Sequence, residues 1–194
     1  MKKSIFAALI TFIALSRAIA AAPSWTLDQA HSNVTFSIHH MVISEVTGSF
    51  KDFAVNLHST KEDFTDANID ATVNVNSINT ENDRRDAHLR TDDFFNAEKF
   101  PTIKFKSTSF EKIGENHYAI KGLLTIRDTT KEVTIDAVLN GILSSSKGER
   151  AGWKGTLSIN RFDYGLKWNQ TIETGGLIAG ATVNIIFNLE FVKG

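Results

Sequence analysis

Two stretches of the chain alternate apolar and polar residues strictly enough to decide the class of fold. Residues 67–76 read ANIDATVNVN and residues 182–191 read TVNIIFNLEF, and in both stretches every odd position is apolar. Successive side chains of a β-strand point to opposite faces of the sheet, so each stretch presents one apolar face and one largely polar face. This pattern predicts half-buried antiparallel strands, the first of them over residues 67–78.

The rest of the chain carries further runs of this kind, separated by turn signals, and no βαβ unit or internal repeat is visible. We count about eight strands, most of them in hairpin order. Their length and their single apolar face favour an all-β fold, an eight-stranded antiparallel barrel with a short helical insert, and a two-sheet sandwich is the alternative. Residues 144–152, rich in Ser, Gly and Lys, are predicted to form a mobile loop.

One stretch interrupts the β-pattern with a dense cluster of charge, since residues 80–95 read TENDRRDAHLRTDDFF. Thr80 followed by Asp83 resembles a capping box, and Thr91 followed by two acids resembles a second helix start. We therefore predict one polar helical insert of about three turns. The insert ends before Pro101, because proline disfavours helix in the residue that precedes it.

The N-terminus has the features of a secretory signal peptide. Residues 2–3 are lysines, residues 5–15 form an apolar core, and residues 18–20 (Ala-Ile-Ala) form a small-x-small cleavage site. We predict that residues 1–20 are a leader and that residues 21–194 are the single folded domain. The short leader and the absence of cysteine from the sequence indicate a bacterial periplasmic or secreted protein without disulfides or a lipidated N-terminus.

The charge of the mature chain argues against one large class of partners. The sequence holds 21 Lys and Arg against 22 Asp and Glu, and loss of Lys2, Lys3 and Arg17 with the leader leaves 18 against 22, a net charge of −4. Nucleic-acid-binding domains are usually basic, so we predict no nucleic-acid partner. The apolar run of the leader is short for a membrane span, so no stable membrane insertion is expected after cleavage.

The aromatic composition bears on what the barrel interior contains. The chain has 14 Phe but only 2 Tyr, so most of its aromatic surface carries no hydroxyl group. An eight-stranded barrel is just wide enough to be filled by side chains or to hold one slim ligand. Two interpretations stay open: an ordinary packed core, or an elongated apolar tunnel, roughly 33 Å long for a ten-residue strand, which suits an extended hydrocarbon.

Five motifs in order carry a resemblance to a known family. They are HSNVTFSIHHM (residues 31–41), GSFKDF (48–53), RDAHLRTDDFF (85–95), LTIRDTTKEV (124–133) and RFDYG (161–165). With these motifs the chain resembles the YceI-like family of polyisoprenoid-binding, lipocalin-like exported proteins, from about Trp25 to Phe191. It departs from the family pattern at Asp128-Thr129, where Gly-Val is usual, and at Tyr164, where Phe is frequent, and neither departure threatens the fold.

The resemblance implies a lipocalin-like eight-stranded barrel with a long apolar cavity. It also implies binding of an isoprenoid chain, with a quinone or pyrophosphate group as candidate head. Members of the family are associated with stress or alkaline growth. The resemblance carries no catalytic residues over to this chain.

If the interior holds a ligand, inward residues of the strands and of the insert form its wall. The predicted wall or mouth residues are Phe36, Ile38, Phe53, Ile69, Val73, Phe94, Phe105, Ile135 and Phe187. In the insert, Leu89, Phe94 and Phe95 are the predicted inward anchors, which makes the insert a plug or rim at one end of the barrel.

The basic cluster of the insert has two interpretations. Arg84, Arg85 and His88 lie three or four residues apart, on one side of a helix, and form a candidate site for an anionic head group. In the alternative, Asp86 pairs with Arg90 and the arginines fix the helix to the rim of the barrel. We expect substitution of Arg85 to separate the two.

Metal binding and catalysis find little support in the sequence. The six histidines lie at positions 31, 39, 40, 58, 88 and 117, and the adjacent His39 and His40 would point to opposite faces of a strand. With no cysteine and no other ligand spacing, we predict no metal site. His31 and His40 are instead predicted to be buried hydrogen-bonding residues near a strand end. Ser32 beside His31 lacks a G-x-S-x-G elbow, so we predict no enzymatic activity.

The residues and the resemblance together predict an exported carrier or sequestering protein for a long apolar lipid. The predicted partner is an isoprenoid or another long-chain lipid, such as a fatty acid or fatty amide, with no cofactor beyond that lipid. The competing hypothesis is a structural or interaction module whose interior is simply packed. A homodimer is compatible with the sequence, although no motif specifies one.

Overall fold

The structure is a computed structural model that describes residues 24–146 and 148–194. The strands are β1 (Ser24–Leu27), β2 (Asn33–His40), β3 (Ser44–Phe50), β4 (Phe53–His58), β5 (Asn68–Asn74), β6 (Ile78–Asn79), β7 (Thr102–Lys112), β8 (His117–Ile126), β9 (Thr129–Ser145), β10 (Gly148–Asn160) and β11 (Ala179–Lys193). The helix α1 spans Asp83–Leu89, and short 3-10 turns span Gln29–His31, Val75–Ser77 and Arg161–Tyr164. The predicted leader, residues 1–20, lies outside the described residues.

Eight of the described strands close into one antiparallel ring, in the order β1-β4-β5-β7-β8-β9-β10-β11, and β11 pairs back to β1. The last strand joins two parts of the wall. Residues 191–193 of β11 pair with β1, and residues 183–188 pair with β2, which in turn pairs with β3. The prediction of an eight-stranded antiparallel barrel with a short helical insert is confirmed, and the closure rules out the sandwich.

The strand predicted over residues 67–78 is interrupted near its end. Strand β5 stops at Asn74, whose side chain accepts a hydrogen bond from the backbone N–H of Asn76, and the hydroxyl of Ser77 donates to the Asn74 carbonyl. Such local bonds compete with the sheet ladder and turn the chain. The chain then resumes as β6, which pairs with β3 instead of β7.

Helix α1 is shorter than predicted and begins at a different residue. Its N-cap is Asn82, whose side-chain oxygen accepts from the backbone N–H of Arg85 at 2.9 Å. The predicted cap was wrong because the Thr80 hydroxyl donates to the Asp86 carboxylate at 2.6 Å instead. The predicted second helix start at Thr91 was also wrong, since residues 91–95 form turns.

The loop predicted over residues 144–152 is mostly sheet. Strand β9 continues to Ser145 and β10 starts at Gly148, with Glu149 paired to Ser144 and a register shift after Gly152. Residues 141–146 are all exposed, so both faces of the β9 end meet water, and the polar Ser144 and Ser145 still belong to a regular strand. No helix within residues 24–146 or 148–194 is long and apolar enough to cross a bilayer.

Candidate functional site

A cavity of about 330 Å³ lies inside the barrel, and its lining is almost entirely apolar. All nine predicted wall residues line it: Phe36, Ile38, Phe53, Ile69, Val73, Phe94, Phe105, Ile135 and Phe187. The strands deliver these side chains inward because their apolar residues alternate with outward polar ones, as in β4, where alternate residues from Phe53 to Leu57 are buried.

Two glycines make room for rings of the cavity wall. At Gly48 an added Cβ would lie 2.4 Å from the Phe36 ring, and at Gly122 it would lie 2.4 Å from the Phe105 ring and 2.6 Å from the backbone oxygen of Lys106. The rings therefore pack directly on the backbone of the neighbouring strand. This close approach sets how far each ring projects into the cavity.

One end of the barrel, which we call the aromatic end, is sealed by five packed rings: Trp25, Phe64, Phe110, Tyr118 and Trp153. Phe64 is fully buried and packs its ring 5.3 Å from Trp25 and 5.1 Å from Trp153. The Tyr118 hydroxyl donates to the backbone oxygen of Asp63 at 2.9 Å. Burial, together with the nearby Asp63 carboxylate, raises the pKa of Tyr118, so this hydroxyl stays protonated as a donor.

The opposite end, which we call the helix end, consists of α1, residues 91–101, residues 161–178 and the β2–β3 turn (residues 41–43). Two of its cavity-lining residues keep part of their surface in water, since the His88 side chain is 42% exposed and Trp168 is half-buried. At the aromatic end the lining residue Trp153 is only 6% exposed. The cavity is therefore more accessible at the helix end.

Arginines bond α1 to the barrel through backbone oxygens. Arg85 donates from Nε to the Thr80 hydroxyl and from Nη2 to the Thr80 carbonyl, both at 2.7 Å. Arg90 donates to the carbonyls of Asn76 and Ile78 at 3.2 and 3.0 Å. The predicted pairing of Arg90 with Asp86 was wrong, because that carboxylate accepts from Thr80 instead.

The structure divides the predicted head-group cluster. Arg85 and His88 line the cavity, whereas Arg84 is exposed and lies outside the lining. His88 donates a hydrogen bond from Nε2 to the Asp93 carboxylate at 2.8 Å, and its ring meets Phe94 and Trp168 edge-on at 5.2 and 5.8 Å. The predicted anchors Leu89, Phe94 and Phe95 also line the cavity.

The sequence interpretation missed Arg161, a buried cation at the helix end. Its side chain is among the cavity-lining groups, is only 2% exposed, and donates to the carbonyls of Gly180, Leu166 and Ala179 at 2.8–2.9 Å. Its guanidinium stacks 4.0 Å from the Phe162 ring centre, and among the described residues no carboxylate pairs with it. Burial lowers the pKa of Arg161. The sequence feature that could have identified Arg161 is its position directly after β10, as the first residue of the RFDYG motif.

A further arginine ties the segment after α1 to the rest of the helix end. Arg127 donates from Nη1 to the carbonyls of Asp92, Phe94 and Gly165 at 2.8–3.0 Å. Its Nη2 also pairs with the Asp92 carboxylate at 2.7 Å. The turn between β8 and β9 thus holds two rim segments in place.

A polar cluster on the outside of the barrel has the residue types of a metal site. Asp28, His31 and Glu190 bring three ligand atoms within 4.8 Å of one another. Arg150 already donates to Asp28 at 2.7 Å and to Glu190 at 2.5 Å, so a cation of the protein fills the space between the carboxylates. The hydrogen bonds from Arg150 and His31 lower the pKa of Asp28 to about 2.

Two smaller predictions concern the histidines His31 and His40 and the pair His31–Ser32. His31 was predicted to be buried, which was wrong: its side chain is 64% exposed at the end of the first 3-10 turn. His40 is half-buried and lines the cavity. The Ser32 hydroxyl bonds to the backbone of Glu190, while His31 bonds to Asp28, so the two side chains do not form a nucleophile–base pair.

Comparison with known proteins places the chain in a family. The family model of the YceI-like domain matches residues 25–191. A UPF0312 protein of Staphylococcus aureus (strain COL) is 38% identical over 172 residues, which are 87% of this chain and 96% of that protein. The Campylobacter jejuni YCEI protein, known as a crystal structure, is 32% identical with a TM-score of 0.69, over 87% of this chain and 96% of that one.

A more distant structure shares the fold. It is a polyisoprenoid binding domain from Saccharophagus degradans implicated in plant cell wall breakdown, 16% identical with a TM-score of 0.67, over 88% of this chain and 98% of that one. The resemblance inferred from the five motifs is confirmed, and this chain belongs to the YceI-like family.

Proposed function

We propose that this protein binds the hydrocarbon chain of a lipid non-covalently inside the barrel, with an isoprenoid as the first candidate. The observation that carries the proposal is the cavity itself, about 330 Å³ of space walled by apolar side chains. The Saccharophagus degradans domain of the same fold is a polyisoprenoid binding domain, which is why we put isoprenoids before other chains.

The size of the cavity limits how much of a ligand it encloses. Small-molecule pockets span about 300–1,000 Å³, and this cavity lies near the lower bound. A long polyprenyl chain would therefore extend out of the helix end or widen the wall. Each buried CH₂ contributes about 0.8 kcal/mol before the costs of association, so affinity should rise with chain length until the cavity is full.

The head group of the ligand belongs at the helix end in this proposal. The aromatic end is sealed by buried rings, whereas Arg85 and His88 supply hydrogen-bond donors on the cavity lining at the helix end. A quinone oxygen or a pyrophosphate would accept from such groups. Arg84, predicted as a third contact, is exposed and contributes only its charge at a distance.

In this proposal the protein binds its lipid and catalyses no reaction. The protein would hold or carry its lipid outside the cytoplasm, after removal of the leader, as a carrier or in a stress-related sequestering role. Fatty acids and fatty amides have the same chain chemistry and are the next candidates. A module that uses its barrel only as a scaffold would bind none of these lipids.

The experiment is a titration of the delipidated protein with farnesol and geranylgeraniol, followed by native mass spectrometry. We expect one prenyl alcohol per chain. Ala71 lines the cavity, so Ala71→Trp fills part of it and should lower the affinity at least about tenfold, the equivalent of losing two buried methylenes. Thr72 is the exposed neighbour, and Thr72→Trp is the matched control with unchanged affinity.

Two results would overturn the proposal. One is a wild-type protein that binds no prenyl alcohol and no fatty acid. The other is equal affinity in the wild type and Ala71→Trp, with both variants shown to be folded by circular dichroism, because the ligand would then lie outside the cavity.

A further inference from the structure

The turn between β2 and β3 exposes three consecutive large apolar side chains, which we call the apolar tip. Met41, Val42 and Ile43 are 37%, 67% and 87% exposed. Exposed single apolar residues are common on soluble proteins, but a contiguous apolar projection is a sign of an interaction site.

The backbone of the apolar tip is as unusual as its side chains. Met41 and Val42 have φ of 50° and 67°, the left-handed region that hairpin turns normally fill with Asn or Gly. For a β-branched residue such as Val42 this conformation is a steric outlier. The tip therefore combines a strained backbone with apolar exposure, and neither feature helps a turn that only connects two strands.

The rest of the helix end holds the apolar tip in place. The Met41 N–H donates to the Ile178 carbonyl at 2.9 Å, and the Ile43 N–H donates to the His40 carbonyl at 3.2 Å. A Cβ added to Gly176 would lie 2.8 Å from a methyl group of Val42, so this side chain packs against the backbone of the 170–178 segment. The tip is a supported projection.

The apolar tip also lies beside the accessible end of the cavity. Four residues that flank the tip in the chain or in space also line the cavity: His39, His40, Ile178 and Ala179. The apolar surface of the tip thus continues toward the apolar interior at the helix end.

We propose that the apolar tip inserts into the surface of a lipid bilayer and turns the helix end toward the hydrocarbon, where the cavity takes up or returns its chain. This inference rests on the proposed function, because a bilayer is the phase in which such ligands dissolve. Residues 38–47 contain one acid, Glu45, and no Lys or Arg. Binding is therefore driven by apolar area, occurs on zwitterionic lipid, and changes little with salt.

A second copy of the chain fits the apolar tip less well. A stable protein interface uses about 20–30 residues on each side, and three side chains at the end of a turn supply only a small part of that. A bilayer needs no complementary pocket, and a shallow apolar projection gives weak, reversible attachment to it.

The test is flotation of the ligand-free protein with phosphatidylcholine vesicles. The tip variant Val42→Asn/Ile43→Ser replaces the two most exposed of the three side chains, and asparagine suits the left-handed backbone, so the fold is kept. The matched control is Ile142→Asn/Leu143→Ser, in the β9–β10 hairpin at the opposite end, where the side chains are 41% and 63% exposed.

We expect the partition coefficient of the tip variant to fall about tenfold or more, and that of the control to stay within about twofold of the wild type. Transfer of farnesol from vesicles should slow in the tip variant, while its affinity for farnesol delivered from ethanol stays unchanged. The affinity for farnesol delivered from ethanol tests the proposed function separately. If the wild type binds vesicles but no farnesol, the proposed ligand is wrong while the attachment of the tip to bilayers stands.

Three results would overturn the inference. They are equal partition of the wild type and the tip variant, an equal loss in the control variant, and a wild-type dimer that the tip variant alone converts to monomer. The dimer result would assign the tip to a second copy of the chain.

Discussion

At the aromatic end five rings, including the buried Phe64, pack against one another, whereas at the helix end four arginines donate to backbone oxygens of the segments that surround the cavity mouth. The first arrangement excludes water and ligand alike, because close-packed rings leave no space. The second links short segments without filling the space between them. One barrel can therefore be closed by packing at one end and kept open by hydrogen bonds at the other.

The arginines at the helix end differ from ordinary surface ion pairs. Arg85, Arg90 and Arg161 donate to carbonyls or a hydroxyl and pair with no carboxylate within the described chain. A guanidinium has five donors in a fixed plane, so one side chain can hold several carbonyls that would otherwise be unsatisfied. In the proposed function, Arg85 would also donate to an electron-rich head group.

The largest effect is expected at the aromatic end. Phe64→Ala should lower the free energy of unfolding by about 3–5 kcal/mol, because it leaves a cavity between Trp25 and Trp153. Phe95→Ala at the helix end is the comparison, and it should cost at most about half as much, since Phe95 is only half-buried. Urea denaturation measures both, and equal losses would contradict the division into a packed and an open end.

The next effect is at Arg161. Arg161→Met should lower the free energy of unfolding by about 2–4 kcal/mol, because three carbonyls lose their donor in a buried setting. Arg161→Lys should recover only part of the loss, since one ammonium group cannot span the three carbonyls. The exposed Arg84→Met should change stability by less than about 0.5 kcal/mol. An unchanged free energy of unfolding in Arg161→Met would show that packing alone holds the helix end.

A smaller effect separates the two roles of Arg85. Arg85→Ala should lower the free energy of unfolding by about 1–3 kcal/mol through loss of the two bonds to Thr80. If Arg85 also holds the head group, the preference for farnesyl pyrophosphate over farnesol should fall about tenfold, as a lost charge-assisted hydrogen bond predicts. Isothermal titration of both ligands gives this ratio. An unchanged ratio with a lower melting temperature restricts Arg85 to holding the helix.

The smallest effect concerns acid and the loop that carries Phe64 at the aromatic end. Hydrogen bonds from Ser59 and Thr60 hold the pKa of Asp66 well below its ordinary value, in the loop that also carries Phe64. The stability from this carboxylate is present above about pH 4, where the unfolded group is also ionised, and is lost as the pH falls toward the folded pKa. Melting temperatures between pH 5 and pH 2 should fall less steeply in Asp66→Asn. If the melting temperatures of the wild type and Asp66→Asn fall equally steeply with pH, the Asp66 carboxylate does not contribute this stability.

The cavity wall could be predicted from the sequence, while much of the architecture at the two ends could not. Phe36, Phe105 and Phe187 were placed inward by the period of two alone, because a strand in a closed barrel has only two faces. Arg161 was missed because its role depends on Leu166, Ala179 and Gly180 meeting it after folding. Local propensity contains no information about such contacts.

Two other errors have a common physical cause. Residues 144–152 were predicted as a loop because most of them are polar, but residues 144–146 are polar because they are exposed near the tip of a β-hairpin. Thr80 was predicted as the cap of α1, but Asp86 lies close enough to bond its hydroxyl, and Asn82 caps the helix. In both cases the residue types correctly indicated a polar environment, but the secondary-structure element predicted from them was wrong.

The three tryptophans provide a direct measurement of whether a lipid chain lies in the cavity with its head group at the helix end. Trp153 lines the cavity at the aromatic end and Trp168 lines it at the helix end, while Trp25, another ring of the aromatic end, does not line the cavity. Stearate probes with a nitroxide near the carboxyl group or near the methyl end broaden nearby indole N–H signals in NMR spectra. The proposed placement of the head group at the helix end predicts that the carboxyl-side nitroxide broadens Trp168 most and the methyl-side nitroxide broadens Trp153 most. The reverse order, or equal broadening by both probes, would contradict it.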